Sequence, residues 1–239
     1  MLRRSVNETA PTASAVDGSE TEESAGSVEL RSAHRETIVR LAAALELRSE
    51  ETGRHVERIA RHAERVAAAL GLPEARAELI ALASPLHDIG KIALPDAILQ
   101  KPGPLTTEER RLMQTHTKIG HQLLSGSRSD VLQLAADIAL SHHERYDGNG
   151  YPHGLAGTGI SLEARIVTIC DVFDALTHDR VYRHAYTLAD ALTLMRSDRG
   201  TRFDPVLFDV FLGTLETTRN GFVQDVPHAT AEREKPAAV

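Results

Sequence analysis

The sequence predicts an all-α domain. Apolar residues recur at helical spacing along most of the chain. No convincing period-2 run or internal repeat competes with that pattern. Aromatic residues are 4% of the chain and tryptophan is absent, so Leu, Ala, Ile and Val must supply most of the core, which favours close helix packing. A length of 239 residues suits one such domain with tails.

The elements follow in order. Residues 1–27 are rich in Ser, Ala, Thr and Glu without an apolar period and read as a disordered tail. From Val28 the pattern changes, and Ile38, Leu41, Ala42 and Leu45 share one face of a first helix running to about Leu47. It serves packing or a dimer seam. A second helix follows Thr52 and ends near Gly71, a residue suited to a helix C-terminus. Glu51 and His55, spaced i, i+4 at its start, can face one point. A third helix spans about Glu74 to Ile89 and carries His87 and Asp88 at its end, with Pro85 kinking or dividing it.

The stretch Lys91–Leu105, with three prolines and the turn KPGP, reads as a loop. Thr106 and Glu109 form a capping box for a fourth helix bearing Met113, His116 and Ile119. A fifth helix, from about Asp130 to Arg145, ends in His142, His143 and Glu144. Residues 147–159, DGNGYPHGLAGTG, hold too much glycine for a regular element, and a long ordered loop is more often functional than a plain connector. Ser161 and Leu162 open a sixth helix that is apolar on nearly every side and so central, yet it contains Asp171 and Asp174. A buried carboxylate needs a cation, so at least one of these two acids must meet one. Two more helices are expected at about Leu188–Arg199, capped by Thr187 and Asp190, and at Pro205–Thr217. Residues 224–239 form a second polar tail, which leaves 28–223 as the domain.

Bulk properties exclude several functions. A net charge of −7 and no basic stripe make long nucleic acid an unsuitable partner. The single cysteine, Cys170, rules out an intrachain disulfide and a cysteine zinc cluster. No secretory signal and no membrane-spanning run is visible, so the expectation is a cytoplasmic protein.

The chemistry centres on Ser84–Asp96, SPLHDIGKIALPD. Adjacent His87 and Asp88 at the end of an apolar helix serve no packing purpose, and Asp is costly inside unless paired or bound to metal. Asp88 can bridge two ions while His87 serves one. The other candidates are Glu51, His55, His116, His142, His143 and Asp171. Nitrogen and oxygen ligands without thiolate suit iron, manganese, cobalt, nickel or zinc, and eight are too many for one ion. Two ions bridged by a carboxylate would sit roughly 3.5–4 Å apart and would acidify water toward a pKa of about 7, giving hydroxide for an in-line displacement at phosphorus.

These motifs resemble one family. HDIGK at 87–91, LPDAIL at 94–99, KPGPLT at 101–106, His116, HHERYDGNGYP at 142–152 and DVFDALT at 171–177 are similar, in order, to the HD-GYP domains, a branch of the HD metal-dependent phosphohydrolases. The resemblance covers about residues 30–220. It implies an HD-domain helical bundle with a Gly-rich GYP loop and flexible polar termini. It implies cyclic di-GMP phosphodiesterase activity, with pGpG or GMP as product and two or three divalent ions, iron or manganese first. By motif match, His55, His87, Asp88, His116, His142, His143 and Asp171 are the metal ligands. Glu51 matches the acid of the three-metal members, and Asp88 and Lys91 are placed at the reaction itself. Lys91 matches a residue near the reacting phosphate. Arg180 and Arg183 match positions that grip ligand phosphates, and a guanidinium fork at Arg183 suits that task. Tyr151 stacks on guanine or packs in the protein. Asn149 and His178 stand where Ser is commoner, and neither change removes a ligand.

Three alternatives stay open: a hydrolase of another cyclic dinucleotide, a hydrolase of a different phosphate ester, and a weakly catalytic adaptor for diguanylate cyclase (GGDEF) proteins. A homodimer is compatible with each. Outside the set, His62 shares a face with His55, Asp174 can orient a ligand imidazole, Arg58 reads as a helix salt-bridge partner, and Cys170 as a buried, inert thiol.

Overall fold

The computed structural model describes residues 19–46, 48, 54–179 and 184–220. Among them stand nine α-helices and no strand: α1 (Ser19–Glu46), α2 (Arg54–Ala69), α3 (Glu74–Ala83), α4 (Asp96–Leu99), α5 (Thr107–Leu124), α6 (Asp130–Ser141), α7 (Leu162–Thr177), α8 (Leu188–Ser197) and α9 (Pro205–Asn220). The chain divides into two units, Met1–Glu36 and Thr37–Val239. The candidate site described below belongs to the second. None of the described helices is long and apolar enough to cross a membrane.

The all-α expectation holds, and the core follows from it. α2 packs on α3 and α7, and α6 packs on α3, α5 and α7. Their shared interior is built from small and branched residues such as Val56, Ile59, Ala63, Ile80, Ala135, Ile138, Ala139, Ile166 and Ile169. Alanine at facing positions lets helix axes approach closely. The scarce aromatics are concentrated rather than spread. Phe173, Phe203, Phe208 and Phe211 are all fully buried, and Phe173 meets Phe211 edge-to-face at 5.1 Å between centroids.

Several local signals act as read. Gly71 takes a left-handed conformation, φ +78°, after α2, and Leu72 N–H reaches back to Ala67 O at 3.2 Å. That is the six-to-one bond of a Schellman end. Thr106 and Glu109 form both halves of the capping box on α5, and Thr187 Oγ1 accepts from Asp190 N at 3.2 Å on α8.

Other boundaries differ. α1 starts at Ser19, inside the stretch read as tail, because Glu and Ala sustain a helix by propensity without an apolar face. Residues 1–18 and the C-terminal 221–239 lie outside the described residues. Pro85 does divide the third helix. α3 stops at Ala83, and two 3-10 turns follow, Ser84–Leu86 and Ile89–Ala93. His87 and Asp88 therefore sit between two tight turns instead of at an α-helix end. The stretch read as loop, 91–105, also contains α4, set up by Pro95 in the extended conformation before it. α6 ends at Ser141 and not Arg145, since the chain must turn there into the glycine-rich segment.

Gly90 shows why this turn needs its residue. A Cβ at that position would lie 1.9 Å from His116 O and 2.6 Å from Gly120 N. The turn after Asp88 is pressed against the backbone of α5, and only glycine permits that approach. The contact sets Asp88 and His116 side by side.

Candidate metal centre

Two groups of ligand-type side chains converge. Asp88, His116, His142 and His143 form one, and His55, His87 and Asp171 the other; within each, one donor atom per residue lies within 4.8 Å of all the rest. They come from α2, the turn after α3, α5, the end of α6 and α7. Seven of the eight residues expected as ligands are thus brought together. The eighth, Glu51, lies outside the described residues, as do Arg180 and Arg183.

Asp88 stands between the groups. Its Oδ1 is 3.1 Å from His116 Nε2 and 3.5 Å from His142 Nε2, while its Oδ2 is 3.4 Å from His87 Nε2. One carboxylate therefore faces both clusters, the arrangement a bridging ligand requires. Lys91 Nζ lies 2.6 Å from the same Oδ2.

The orientation of the imidazoles is the second observation. His87 Nδ1 is 2.8 Å from Ser84 O, and His116 Nδ1 is 2.7 Å from Met113 O. His142 Nδ1 lies 3.1 Å from both Ile138 O and Ala139 O. His55 Nδ1 is 2.5 Å from Asp174 Oδ2. In all four rings Nδ1 faces an oxygen acceptor, which leaves Nε2 as the nitrogen turned inward. Thr168 extends the support by donating to His142 O at 2.6 Å.

Such convergence fits cations. His116 Nε2 and His142 Nε2 are 3.5 Å apart with Asp88 Oδ1 beside them, so three acceptors point at one place. His87 is wholly buried, and its Nε2 makes no hydrogen bond to a described residue. Burial opposes charge on His87, but Asp88, Asp171 and Glu46 together outweigh it and raise its pKa to about 10. The site thus attracts positive charge to that atom. Burial holds His142 and, more strongly, His143 below the ordinary imidazole range, with neighbouring histidines adding to the effect on His143. Both are neutral rings ready to donate a lone pair. Burial alone would raise Asp88, yet Lys91, His87, His116 and His142 keep it ionised, well below the usual carboxylate range. A neutral-imidazole and carboxylate donor set without thiolate matches first-row divalent ions.

Asp174 is 2% exposed and behaves as expected for a group that orients a ligand ring. What the sequence did not indicate is its counterion. Arg58 reaches across from α2 and forks onto Asp174 through Nε and a terminal nitrogen, the latter at 2.8 Å. Arg58 is therefore a buried partner of α7 and not a helix-surface ion pair. His178 Nδ1 also approaches Asp174 Oδ1, at 3.2 Å. The signal for Arg58 was its place three residues after His55 on the same face. His62, further along, packs edge-on against Phe173 and Phe211 and lies outside both groups. Cys170 is fully buried, and burial pushes its thiol pKa up, which leaves it unreactive.

The glycine-rich segment is an ordered lip beside the first group. Glu144, buried, accepts from His153 N–H at 2.8 Å and from Leu155 N–H at 3.0 Å, one per oxygen. Gly150 packs on the chain behind it, where a Cβ would fall 2.3 Å from Arg145 N. These fix Tyr151, whose ring stacks on His143 with centroids 4.7 Å apart. Tyr151 thus packs on His143 at the edge of the first group. Glu144 escaped sequence reasoning because it followed two stronger candidates.

Similarity to known proteins agrees with this geometry. The HD domain family matches residues 40–207. A cyclic di-GMP phosphodiesterase response regulator of Xanthomonas campestris pv. campestris is 50% identical over 184 residues, which cover 77% of this chain and 49% of the relative. A cyclic di-GMP phosphodiesterase of Thermotoga maritima is 46% identical, covering 70% and 45%. A 3'3'-cGAMP-specific phosphodiesterase 2 of Vibrio cholerae is 44% identical, covering 77% and 35%. The chain thus spans half or less of the length of these relatives. Among solved structures, a cyclic GMP-AMP specific phosphodiesterase of V. cholerae shares the fold with a TM-score of 0.59 at 20% identity, over 77% of this chain and 49% of that one.

Proposed function

Since the chain belongs to the HD domain family, we propose that it is a metal-dependent phosphodiesterase that hydrolyses cyclic di-GMP to pGpG, GMP or both. The observation that carries the proposal is the set of four imidazoles with Nδ1 tied to oxygen and Nε2 turned toward Asp88 and Asp171. The names of the relatives from X. campestris and T. maritima supply the substrate class.

In this reading His116, His142, His143 and Asp88 would hold one ion and His55, His87 and Asp171 another, with Asp88 placed to serve both and Glu51 available to a third. Iron or manganese is the expected metal. Bound ions supply Lewis acidity for phosphate oxygens and lower the pKa of water. The chain's own residues do the rest. Lys91, adjacent to Asp88, places a positive charge where phosphate would enter. Arg180 and Arg183 hold the phosphates. Asp174 and Arg58 keep His55 in one tautomer, and the Glu144-held lip positions Tyr151 against His143 and beside the guanine. Polar residues 1–27 and 224–239 flank the catalytic domain 28–223. The reading includes a cytoplasmic location, possible assembly as a homodimer, and contact with GGDEF proteins.

The test is to load the purified chain with Fe(II) or Mn(II) without oxygen and resolve the products from cyclic di-GMP. Release of pGpG or GMP supports the reading, and no turnover with any divalent first-row metal contradicts it. One relative favours a second substrate: the 44% identical V. cholerae protein is named for 3'3'-cGAMP. Both dinucleotides therefore go into the same assay, and the larger kcat/KM assigns the substrate.

A further inference from the structure

We propose that Arg48, just past the C-terminal end of α1, is a positioning residue for the reaction: it clasps the turn Ile89–Ala93 and so holds Lys91 beside Asp88. The inference rests on the phosphodiesterase reading above and adds to it a residue outside the motif matches.

The turn carries the cation of the site. It begins directly after Asp88, and Lys91 within it sets Nζ 2.6 Å from Asp88 Oδ2. Where the turn lies therefore decides where Lys91 lies. One side of the turn is fixed, because Gly90 is pressed on the backbone of α5 at His116 and Gly120. On the side of α1 the packing is incomplete. A small cavity separates the two, its wall including Ala42, Leu45, Pro85, Ile89 and Lys91. Ile92, on the turn, is 49% exposed. Apolar contact does not pin this side, since a gap forfeits the dispersion contacts that fix a packed segment.

Arg48 supplies the hold that packing leaves out. Its Nη1 donates to Ile92 O at 2.7 Å, and its Nη2 donates to Leu94 O at 2.9 Å and to Asp96 Oδ1 at 2.7 Å. Gln100 Nε2 donates in return to Arg48 O at 3.0 Å. Ile92 and Leu94 stand at the end of the 3-10 turn, where carbonyls run out of helical donors. One planar guanidinium thus binds two carbonyls on either side of the turn's last residue, Ala93, a geometry that a lysine ammonium does not reproduce.

The carbonyl bonds matter more than the ion pair. The Asp96 side chain is 64% exposed, so its attraction to Arg48 is screened by water. The bond to Leu94 O is partly buried, and Leu94 itself is 2% exposed. The end of α1 is therefore fastened to the segment that follows HDIGK, and the turn is clamped between Arg48 and α5. These contacts reach the turn and α4 rather than the reacting centre, so Arg48 acts through Lys91.

The experiment compares wild type with Arg48→Ala, both loaded with Mn(II) without oxygen, on cyclic di-GMP at a temperature well below either Tm. The readings are metal per chain, kcat and KM, and backbone hydrogen exchange across residues 88–96. Arg48→Ala is expected to keep its metal and a KM near that of wild type. Its kcat is expected to fall by about 100-fold, the scale of an ångström-sized misplacement. Exchange across 88–96 is expected to quicken, with α7 unchanged. A role in stability alone would lower Tm and leave kcat intact, and that result overturns the proposal. So does a loss that follows missing metal or falls on KM alone, and so does wild-type exchange across 88–96. Should Arg48→Ala fail to fold, Arg48→Lys keeps the charge without the planar fork, and the same readings decide. Each of these outcomes leaves the phosphodiesterase reading standing, whereas a wild-type chain without turnover on any divalent first-row metal overturns that reading and the proposal with it.

Discussion

The two ligand groups share local support for their rings, His87 included through Ser84 O, and differ at His55. The rings beside Asp88 are steadied locally: His116 by a carbonyl three residues back, His142 by carbonyls three and four residues back. His55 is steadied at long range, by Asp174 on another helix, which is held in turn by Arg58. The first kind of support comes free with a helix, because a side chain leans over its preceding turn. The second needs a buried ion pair, whose charges are costly to desolvate and which persists only while both partners are present. The first group should therefore survive surface and electrostatic changes that dismantle the second.

Substitutions can break this contrast in steps. The largest effect should come from Asp88→Ala, since that carboxylate faces both groups. Turnover should drop to background and both metals should be lost, with the far-ultraviolet circular dichroism unchanged. Survival of either metal would show that the groups do not share Asp88.

Asp174→Asn comes next. It keeps the size of the side chain but removes the charge that Arg58 and His55 need. Loss of such outer support typically weakens metal binding by about 10–100-fold. Titration should find that loss at the His55 group only. Arg58→Met leaves Asp174 buried without its main counterion, and about 3–5 kcal/mol of stability should go with it, read by urea denaturation. Equal losses at both groups would end the distinction.

Gly90→Ala is the converse test. Its methyl would collide with His116 O, so the group beside Asp88 should suffer first. Overpacking of this kind costs about 1–3 kcal/mol, measurable as a lower Tm, and metal affinity should fall at that group more than at the other.

The smallest effect concerns the lip. Asp147, paired with Arg145 and accepting from Asn149 N–H at 3.0 Å, has its pKa lowered to about 2 by those partners. A depressed carboxylate contributes stability that is present above its unfolded pKa of about 3.9 and is lost as pH falls through about 2. The pair is near the surface and screened, so the contribution is small. Between about pH 4 and 2, wild type should lose slightly more stability than Asp147→Asn. An identical pH dependence would remove this role.

What could be read in the chain follows the same contrast. His87, Asp88, His116, His142, His143 and Asp171 were visible because each lies in a short motif, and the helix caps at Thr106 and Thr187 were visible because their chemistry is local. Asp174 was foreseen as an orienting group from its spacing after Asp171. Arg58 and Glu144 were not foreseen as site supports. Each acts through a partner that no local spacing announces, from 116 residues away for Arg58 and Asp174 to backbone atoms of an irregular loop for Glu144. The division of the third helix was foreseen from Pro85, but the 3-10 turn after Asp88 is set by packing against α5, which a one-dimensional pattern does not contain.

Anomalous X-ray scattering from crystals of the manganese-loaded chain tests the central claim most directly. The account predicts a peak enclosed by Asp88, His116, His142 and His143 and another enclosed by His55, His87 and Asp171, with Asp88 between them. Peaks lying elsewhere, or a fully loaded crystal with neither group occupied, would contradict it.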